Sequence, residues 1–298
     1  MRLIIIGASG VIGGALYDAA LKADIPVVGT SHTHPAPHLR PFDMKNHLLR
    51  DVVMDLNKND VVFLLAGYSS PSWVHAHKID ARKINHNCTM AVMEQAAKVG
   101  ARIVFMSSDQ VFDGETGGYT ESSQTWPKNF YGLLKEEVET DSKSFPNVVI
   151  VRTGWNVPWQ LGQHCPVAQC YDALLKQNPV MAQKNVFNIN DVDDTANGLI
   201  SIAKEPKPRR IYHLVGKATI SRIALAQAIM RQSTRGLRMT FKAVPFTEIP
   251  YSEPRPQQAW LSSEFPPIVE FTAPEDVIAR KVDLLDFWHE RARTATTA

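Results

Sequence analysis

An α/β fold on a doubly wound parallel sheet, with a smaller C-terminal lobe, is what this sequence predicts. Three observations carry the prediction. Short, continuous apolar runs at residues 2–6, 61–65, 102–106 and 148–151 read as strands buried on both faces. Longer segments with helical spacing alternate with them, which argues for a parallel sheet with crossover helices. The first run also passes straight into a glycine turn, Gly7-Ala-Ser-Gly10-Val-Ile-Gly13, and then a helix.

In that turn Gly7 permits the sharp reversal, Gly10 lets a pyrophosphate approach the backbone, and Gly13 lets helix and sheet pack closely. The phosphates would sit on the free N–H groups of Ser9 to Gly13, Val11 and Ile12 included, at the positive end of the helix dipole. The spacing is G-x-x-G-x-x-G, and the helix is expected over residues 15–22. A second strand is expected at residues 25–29, followed by Thr30, Ser31 and His32. An NAD site usually carries Asp or Glu there to hold the ribose 2′-hydroxyl. None is present, and the next acid is Asp43, so NADP(H) is the expected cofactor, with NAD the alternative. His32, His34 and His38 lie in a proline-rich loop that offers no fourth ligand, and no metal site is expected.

The strand at 61–65 ends in Ala66-Gly67, small residues against which a cofactor can lie. A helix over 79–99 carries Asn85, and the strand at 102–106 delivers Ser107, Ser108 and Asp109. Pro127 then precedes a helix bearing Tyr131 and Lys135, four residues apart and therefore on one face. Phe130, Leu133, Leu134 and Val138 form its apolar stripe, while Glu136, Glu137 and Glu139 are expected to face elsewhere. A phenol beside an ammonium has its ionised form favoured, so the Tyr131 pKa is expected to fall. Such a phenol can pass a proton to or from a carbonyl oxygen that Ser108 also hydrogen-bonds.

Beyond the strand at 148–151, Trp155, Pro158, Trp159 and Pro166 predict irregular chain. Asp191, Asp193 and Asp194 open a helix through residue 203, where the dipole favours acids. A strand at 211–215 and a helix at 221–231 capped by Ser221 follow. Residues 244–256 are expected to be extended, and a terminal helix covers 273–289, with Arg280 and Lys281 on its solvated face.

The chain is long enough for a substantial core, and its net charge of +2 gives no nucleic-acid-binding footprint. Its apolar runs are too short to span a membrane. No signal peptide is expected before the first strand, and the three cysteines, Cys88, Cys165 and Cys170, have no metal-ligand spacing. A reduced, cytoplasmic protein is expected.

Taken in order, Gly7-x-x-Gly10-x-x-Gly13, Ser107-Ser-Asp-Gln-Val-Phe-Asp-Gly114, Tyr119-x-Glu121, Pro127-x-x-x-Tyr131-Gly-x-x-Lys135, Val151-Arg-Thr-Gly-Trp155 and Arg255-Pro256-x-x-x-x-Leu261 span most of the chain. With these motifs it resembles the extended short-chain dehydrogenase/reductase family, and within it the dTDP-4-dehydrorhamnose reductases and their sugar-nucleotide relatives. The resemblance implies a Rossmann domain at residues 1–154, to which 188–216 return, and a substrate-binding lobe at 155–187 and 217–298.

It further implies that Tyr131 is the proton donor, that Ser108 polarises the carbonyl, and that Lys135 holds the nicotinamide ribose. Asn85 matches the family's helix asparagine. Asp43, with Met44 beside it, matches an adenine contact, and Ala66 and Gly67 line the cofactor. Asp109, Gln110, Trp155 and Arg255 fall at substrate positions, Arg255 near the nucleotide diphosphate. Gln110 stands where the nearest relatives usually have Tyr. It also replaces the second acid of the 4,6-dehydratases, which disfavours dehydration. The implied activity is reduction of a nucleotide-linked 4-keto sugar. An NAD(P)-dependent epimerase and a non-catalytic regulatory subunit are the alternatives, and pairing into a homodimer through the Tyr/Lys helix is also implied.

Overall fold

The structure, a computed structural model, describes residues 1–160, 162, 165–176 and 178–296. The first apolar run forms β1 (Arg2–Ile6), and the glycine turn leads into α1 (Val11–Lys22). β2 (Val27–Ser31), β3 (Arg40–Pro41) and α2 (Leu49–Val52) come next. β4 (Asp60–Leu64) is followed by α3 (Pro71–Ala76), α4 (Lys78–Arg82) and α5 (Thr89–Lys98). β5 (Arg102–Met106), α6 (Phe130–Asp141) and β6 (Val148–Arg152) complete the first half. The second half runs through β7 (Trp155–Val157), α7 (Pro166–Leu175), β8 (Val180–Ala182), β9 (Val186–Phe187) and β10 (Ile189–Asp191). α8 (Val192–Lys204), β11 (Ile211–His213), β12 (Ile220–Ser221), α9 (Arg222–Gln232), β13 (Lys242–Val244) and α10 (Pro274–Thr296) follow.

Seven strands pair in the order β11-β6-β5-β4-β1-β2-β3, every neighbouring pair parallel. The order reverses at β1, so the carboxyl ends of β1 and β4 flank the crevice where such sheets take their ligands. Alternation along the strands sorts the core. Leu3, Ile5, Phe63 and Val151 face Leu16 of α1 and Leu199 of α8. Ile4, Ile6, Val62 and Phe105 face Val92 and Met93 of α5 and Val138 of α6. A third cluster, outside the seven strands, joins Tyr171 of α7, Leu225 of α9 and Val277 of α10 to Phe187 and Ile189.

Several local readings change. The second strand starts two residues later than expected, because Leu3 pairs with Val27; Thr30 and Ser31 therefore lie inside it and are buried. The helix expected over 79–99 is interrupted by a π-helical stretch at Lys83–Cys88. There the Thr89 hydroxyl donates to the Ile84 carbonyl five residues back (3.1 Å), and the wider turn brings Asn85 inward. Trp155 to Val157, expected to be irregular, pairs with β10.

Lys281 is the largest departure. It is 1% exposed rather than solvated, and its ammonium donates to the carbonyls of Pro158 (2.6 Å) and Gln160 (3.1 Å). Arg280 beside it lies over the Trp159 ring, 3.8 Å from the centroid. Helix α10 is thus pinned to the chain after β7. Asp191 caps α8 by accepting from the Asp193 N–H (2.9 Å) and also accepts from the Trp159 indole (3.0 Å), which accounts for the first of the clustered acids.

Candidate active site

The glycine turn fits a dinucleotide for reasons of space. Gly7 has φ +97°, and a Cβ there would lie 2.7 Å from the Ala66 nitrogen. A Cβ on Gly13 would lie 2.2 Å from the Gly7 carbonyl oxygen, so helix and strand touch backbone to backbone. Gly10 is the N-cap of α1 without a side-chain cap, and no acid occupies the first turn. The first N–H groups of α1, at Val11, Ile12 and Gly13, are therefore left for an anion. Ser9 is half-buried beside them.

The rim residues divide into supports and ligand-facing groups. Thr30 is a support: its hydroxyl donates to Ile5 O and accepts from the Gly7 N–H, both at 3.3 Å. Ser31 is buried, and its carbonyl accepts from the Phe42 N–H (2.8 Å). His32 is exposed, with Nε2 3.6 Å from the Asp43 carboxylate. That carboxylate also accepts from the Lys45 N–H (2.9 Å) and the Asn46 amide (2.7 Å). Partial burial opposes these bonds, yet they hold the Asp43 pKa below its ordinary value. Met44 packs on the α5 side of the core. His34 bonds Thr33 and His38 lies tilted against the Tyr17 ring, so the three loop histidines have separate partners.

Next to β1 and β4, the carboxyl end of β5 carries the proposed chemistry. Ser108 caps a short turn by accepting from the Gln110 N–H (3.2 Å), and its hydroxyl donates to Asp109 Oδ1 (2.8 Å). Asn129 caps α6 by accepting from the Gly132 N–H (2.9 Å), while its amide donates to Gln110 Oε1 (3.0 Å) and Pro254 O (3.2 Å). A Cβ on Gly132 would lie 2.0 Å from the Gln110 carbonyl oxygen. That close approach seats the start of α6 on the turn after Ser108 and brings Tyr131 against it.

The Tyr131 phenol is pushed up to about 12, against the expected fall. Burial is the main cause and the Asp109 charge the second, with the hydrogen bond to Ser108 pulling the other way. The Lys135 ammonium, 5.8 Å from the Tyr131 ring centroid, does not offset them. It donates to Met106 O (2.7 Å) and lies over the Phe105 ring, 4.8 Å from the centroid. Burial pushes Lys135 down to about 8, opposed by the charge of Glu139. Asp109 itself is pushed up to about 6 by burial, against the hydrogen bonds from Ser108 and Gln110.

These shifts give a direct expectation. Asp109→Asn removes the neighbouring charge, so the alkaline titration of Tyr131 moves to lower pH. The difference in tyrosinate absorbance between this protein and its Tyr131→Phe form reads it, and an unmoved midpoint would contradict the placement of Asp109.

Asn85 is buried and holds the main chain of Tyr68 at both ends, accepting from its N–H and donating to its carbonyl, each at 2.8 Å. It thereby fixes Gly67, where a Cβ would lie 2.9 Å from Asn85 Oδ1. Tyr68 packs with Trp73, Phe130 and Tyr131, so Asn85 supports the floor between β4 and α6. Trp155 packs into the third apolar cluster. Arg255 pairs with Glu253 and donates to Ser72 Oγ (2.9 Å), tying the C-terminal segment to α3.

Three groups were missed from sequence. Arg222 lies over the Phe187 ring (4.8 Å), its pKa lowered by burial, with the charge of nearby Arg255 adding to that. Among the described residues it has no ion pair; no sequence signal marks it. Asn129 was legible as an N-cap at the start of the Tyr131 helix. Glu139 was expected to face away from the apolar stripe of α6 but is buried. Its spacing of four from Lys135 was the available signal.

Comparison with known proteins agrees with this architecture. Residues 1–267 match the family model described as RmlD substrate binding domain. The chain belongs to that family. A dTDP-4-dehydrorhamnose reductase of Mycobacterium tuberculosis is 23% identical over 268 residues, covering 88% of this chain and 85% of that one. The methionine adenosyltransferase 2 subunit beta of Bos taurus is 28% identical over 139 residues, 46% of this chain and 41% of its own. The crystal structure of a dTDP-4-dehydrorhamnose reductase from Bacillus anthracis in complex with NADP superposes with a TM-score of 0.76. It is 20% identical, with 94% of this chain and 97% of that one covered. The Rossmann sheet expected from sequence is therefore the fold of this RmlD-family member. Among the described residues, no helix is long and apolar enough to cross a membrane.

Proposed function

We propose that the protein is an NADP(H)-dependent reductase of a nucleotide-linked 4-keto sugar. The observation that carries this reading is the gathering of Ser108, Tyr131 and Lys135 at the carboxyl end of β5, two strands from the glycine turn of β1. When bound, the cofactor supplies the hydride. Tyr131 remains a phenol at working pH and so holds the proton that a reduced carbonyl oxygen needs. Ser108 lies beside it to hydrogen-bond the same oxygen. Lys135, bonded to Met106 O, would turn from it to a ribose hydroxyl. Gly7 to Gly13 would hold the pyrophosphate; Thr30, Ser31 and His32 include no acid to repel a 2′-phosphate, and the nearby Asp43 carboxylate is taken up by the Lys45 N–H and the Asn46 amide.

The substrate class rests on the relatives named dTDP-4-dehydrorhamnose reductase and on two guanidinium groups, Arg222 over the Phe187 ring and Arg255 paired with Glu253 beside Ser72. Together they suit a nucleotide diphosphate, with Trp155 toward the sugar. Gln110 spends its side-chain oxygen on Asn129 and is no base, which leaves reduction favoured over dehydration. A regulatory subunit is the second reading, favoured by the similarity to methionine adenosyltransferase 2 subunit beta across nearly half the chain.

NADPH oxidation against a small panel of nucleotide-linked 4-keto sugars, with NADH run alongside, tests the proposal. Stoichiometric cofactor consumption with one of the dTDP-linked sugars supports it. Sugar turnover without cofactor consumption points to an epimerase. Cofactor binding without turnover, and copurification with a larger enzyme, points to the subunit.

A further inference from the structure

Behind the catalytic residues lies a buried charged chain to which the mechanism above gives no task. Glu139 stands one helical turn beyond Lys135 on α6 and is 5% exposed. Its carboxylate accepts from the Ser107 hydroxyl (2.5 Å) and takes a forked pair from Arg152, Nε at 3.0 Å and Nη2 at 2.6 Å. Arg152 Nη1 lies 3.3 Å from His213 Nε2, and His213 Nδ1 lies 2.7 Å from the Ser262 carbonyl. A carbonyl only accepts, so His213 carries its proton on Nδ1 and offers a lone pair to Arg152. Burial lowers the His213 pKa, which agrees with a neutral ring. The chain thus holds one negative and one positive charge, with a neutral imidazole at its end.

Such a pair is costly to bury and is weak evidence of stability by itself. Its placement gives it another use. Lys135 has no ion pair among the described residues; Met106 O is its acceptor. Beside it on α6 are Tyr131, its ring centroid 5.8 Å from Nζ, and Glu139, whose charge acts on it; Asp109 acts on Tyr131, and Arg152 and His213 lie behind Glu139. Arg210 and Glu121 lie further back, the former near Glu139 and the latter accepting from the His213 N–H. Ser107, the residue before Ser108, is fastened by the same carboxylate.

We propose that Glu139 is a positioning residue for the catalytic set. Its carboxylate keeps the buried Lys135 ammonium charged and, through Ser107, fixes the turn that presents Ser108. Arg152 limits how much of that negative charge Lys135 feels. This inference rests on the reading that Lys135 binds the cofactor ribose.

The test is the pH dependence of NADPH affinity, followed by cofactor fluorescence across the alkaline range. In the unaltered protein, affinity falls as Lys135 loses its proton. Glu139→Gln removes the negative charge and leaves Arg152 uncompensated, so the alkaline limb moves to lower pH by roughly one unit. Arg152→Gln frees the carboxylate and moves the limb the other way; it carries the same test should the first variant not fold. Glu139→Asp restores the limb toward its original position. A purely structural role would lower the melting temperature of both variants and leave the limb in place, and that result overturns the proposal, as does a shift of the same sign in both. Because the readout is cofactor binding, it fails separately from the reductase reading: absence of keto-sugar turnover with the opposite shifts intact would sink only the latter.

Discussion

Tyr131→Phe is expected to cut turnover by roughly 10²–10⁴-fold, the usual contribution of a positioned general acid, with NADPH affinity nearly unchanged. The variant isolates chemistry from packing. Phe fills the same space among Leu134, Tyr68 and Trp73, and loss of the phenol oxygen leaves no orphaned donor, because the Ser108 hydroxyl already donates to Asp109. The phenol's high pKa also sets the pH behaviour. With Tyr131 up at about 12, the proton is in place throughout the neutral range, so its own titration produces no neutral-pH limb. Lys135, down at about 8, is the group whose titration bounds activity on the alkaline side. Steady-state turnover and cofactor binding on the same preparation check the expectation; retained turnover would remove Tyr131 from the chemistry.

Gly13→Ala is expected to damage both folding and cofactor binding. A Cβ 2.2 Å from the Gly7 carbonyl oxygen forces α1 away from β1, and that oxygen is backbone with little freedom to yield. Overpacking of this kind costs about 1–3 kcal/mol. The same displacement withdraws the α1 N-terminus from the pyrophosphate, so NADPH affinity should fall by roughly 10–100-fold, corresponding to about 1–3 kcal/mol. Gly14→Ala is the control: its Cβ would meet only the Ala8 oxygen, at 3.5 Å, an ordinary contact. Calorimetry and NADPH titration of the two variants check this. Equal behaviour of both would contradict the close approach.

The sheet was legible because its strands are buried on both faces, and a continuous run such as Leu3 to Ile6 has no other common reading. The glycine turn was legible because a strand and a helix flank it. What escaped depends on contacts distant in sequence. Trp155-Asn-Val157 is too short to signal a strand and becomes one only against Ile189 to Asp191. The π-helical turn that aims Asn85 at Tyr68 leaves the helical pattern almost intact. Lys281 and Glu139 read as surface charges because charged side chains are seldom buried, and their partners come from Pro158 and from Arg152. The Tyr131–Lys135 spacing put both groups on one helix, and both lie on α6. It could not say that the ammonium bonds Met106 O while the charge of Asp109 raises the phenol's pKa.

The central claim is hydride delivery to a sugar carbonyl above the glycine turn, with Tyr131 giving the proton. Single-turnover reaction of NADPH carrying deuterium at the transferable nicotinamide position, with a dTDP-linked 4-keto sugar, tests it most directly. The account predicts one deuterium at the former keto carbon for each cofactor oxidised, and almost none with Tyr131→Phe. A sugar product without deuterium, or equal transfer by the Phe variant, would contradict it.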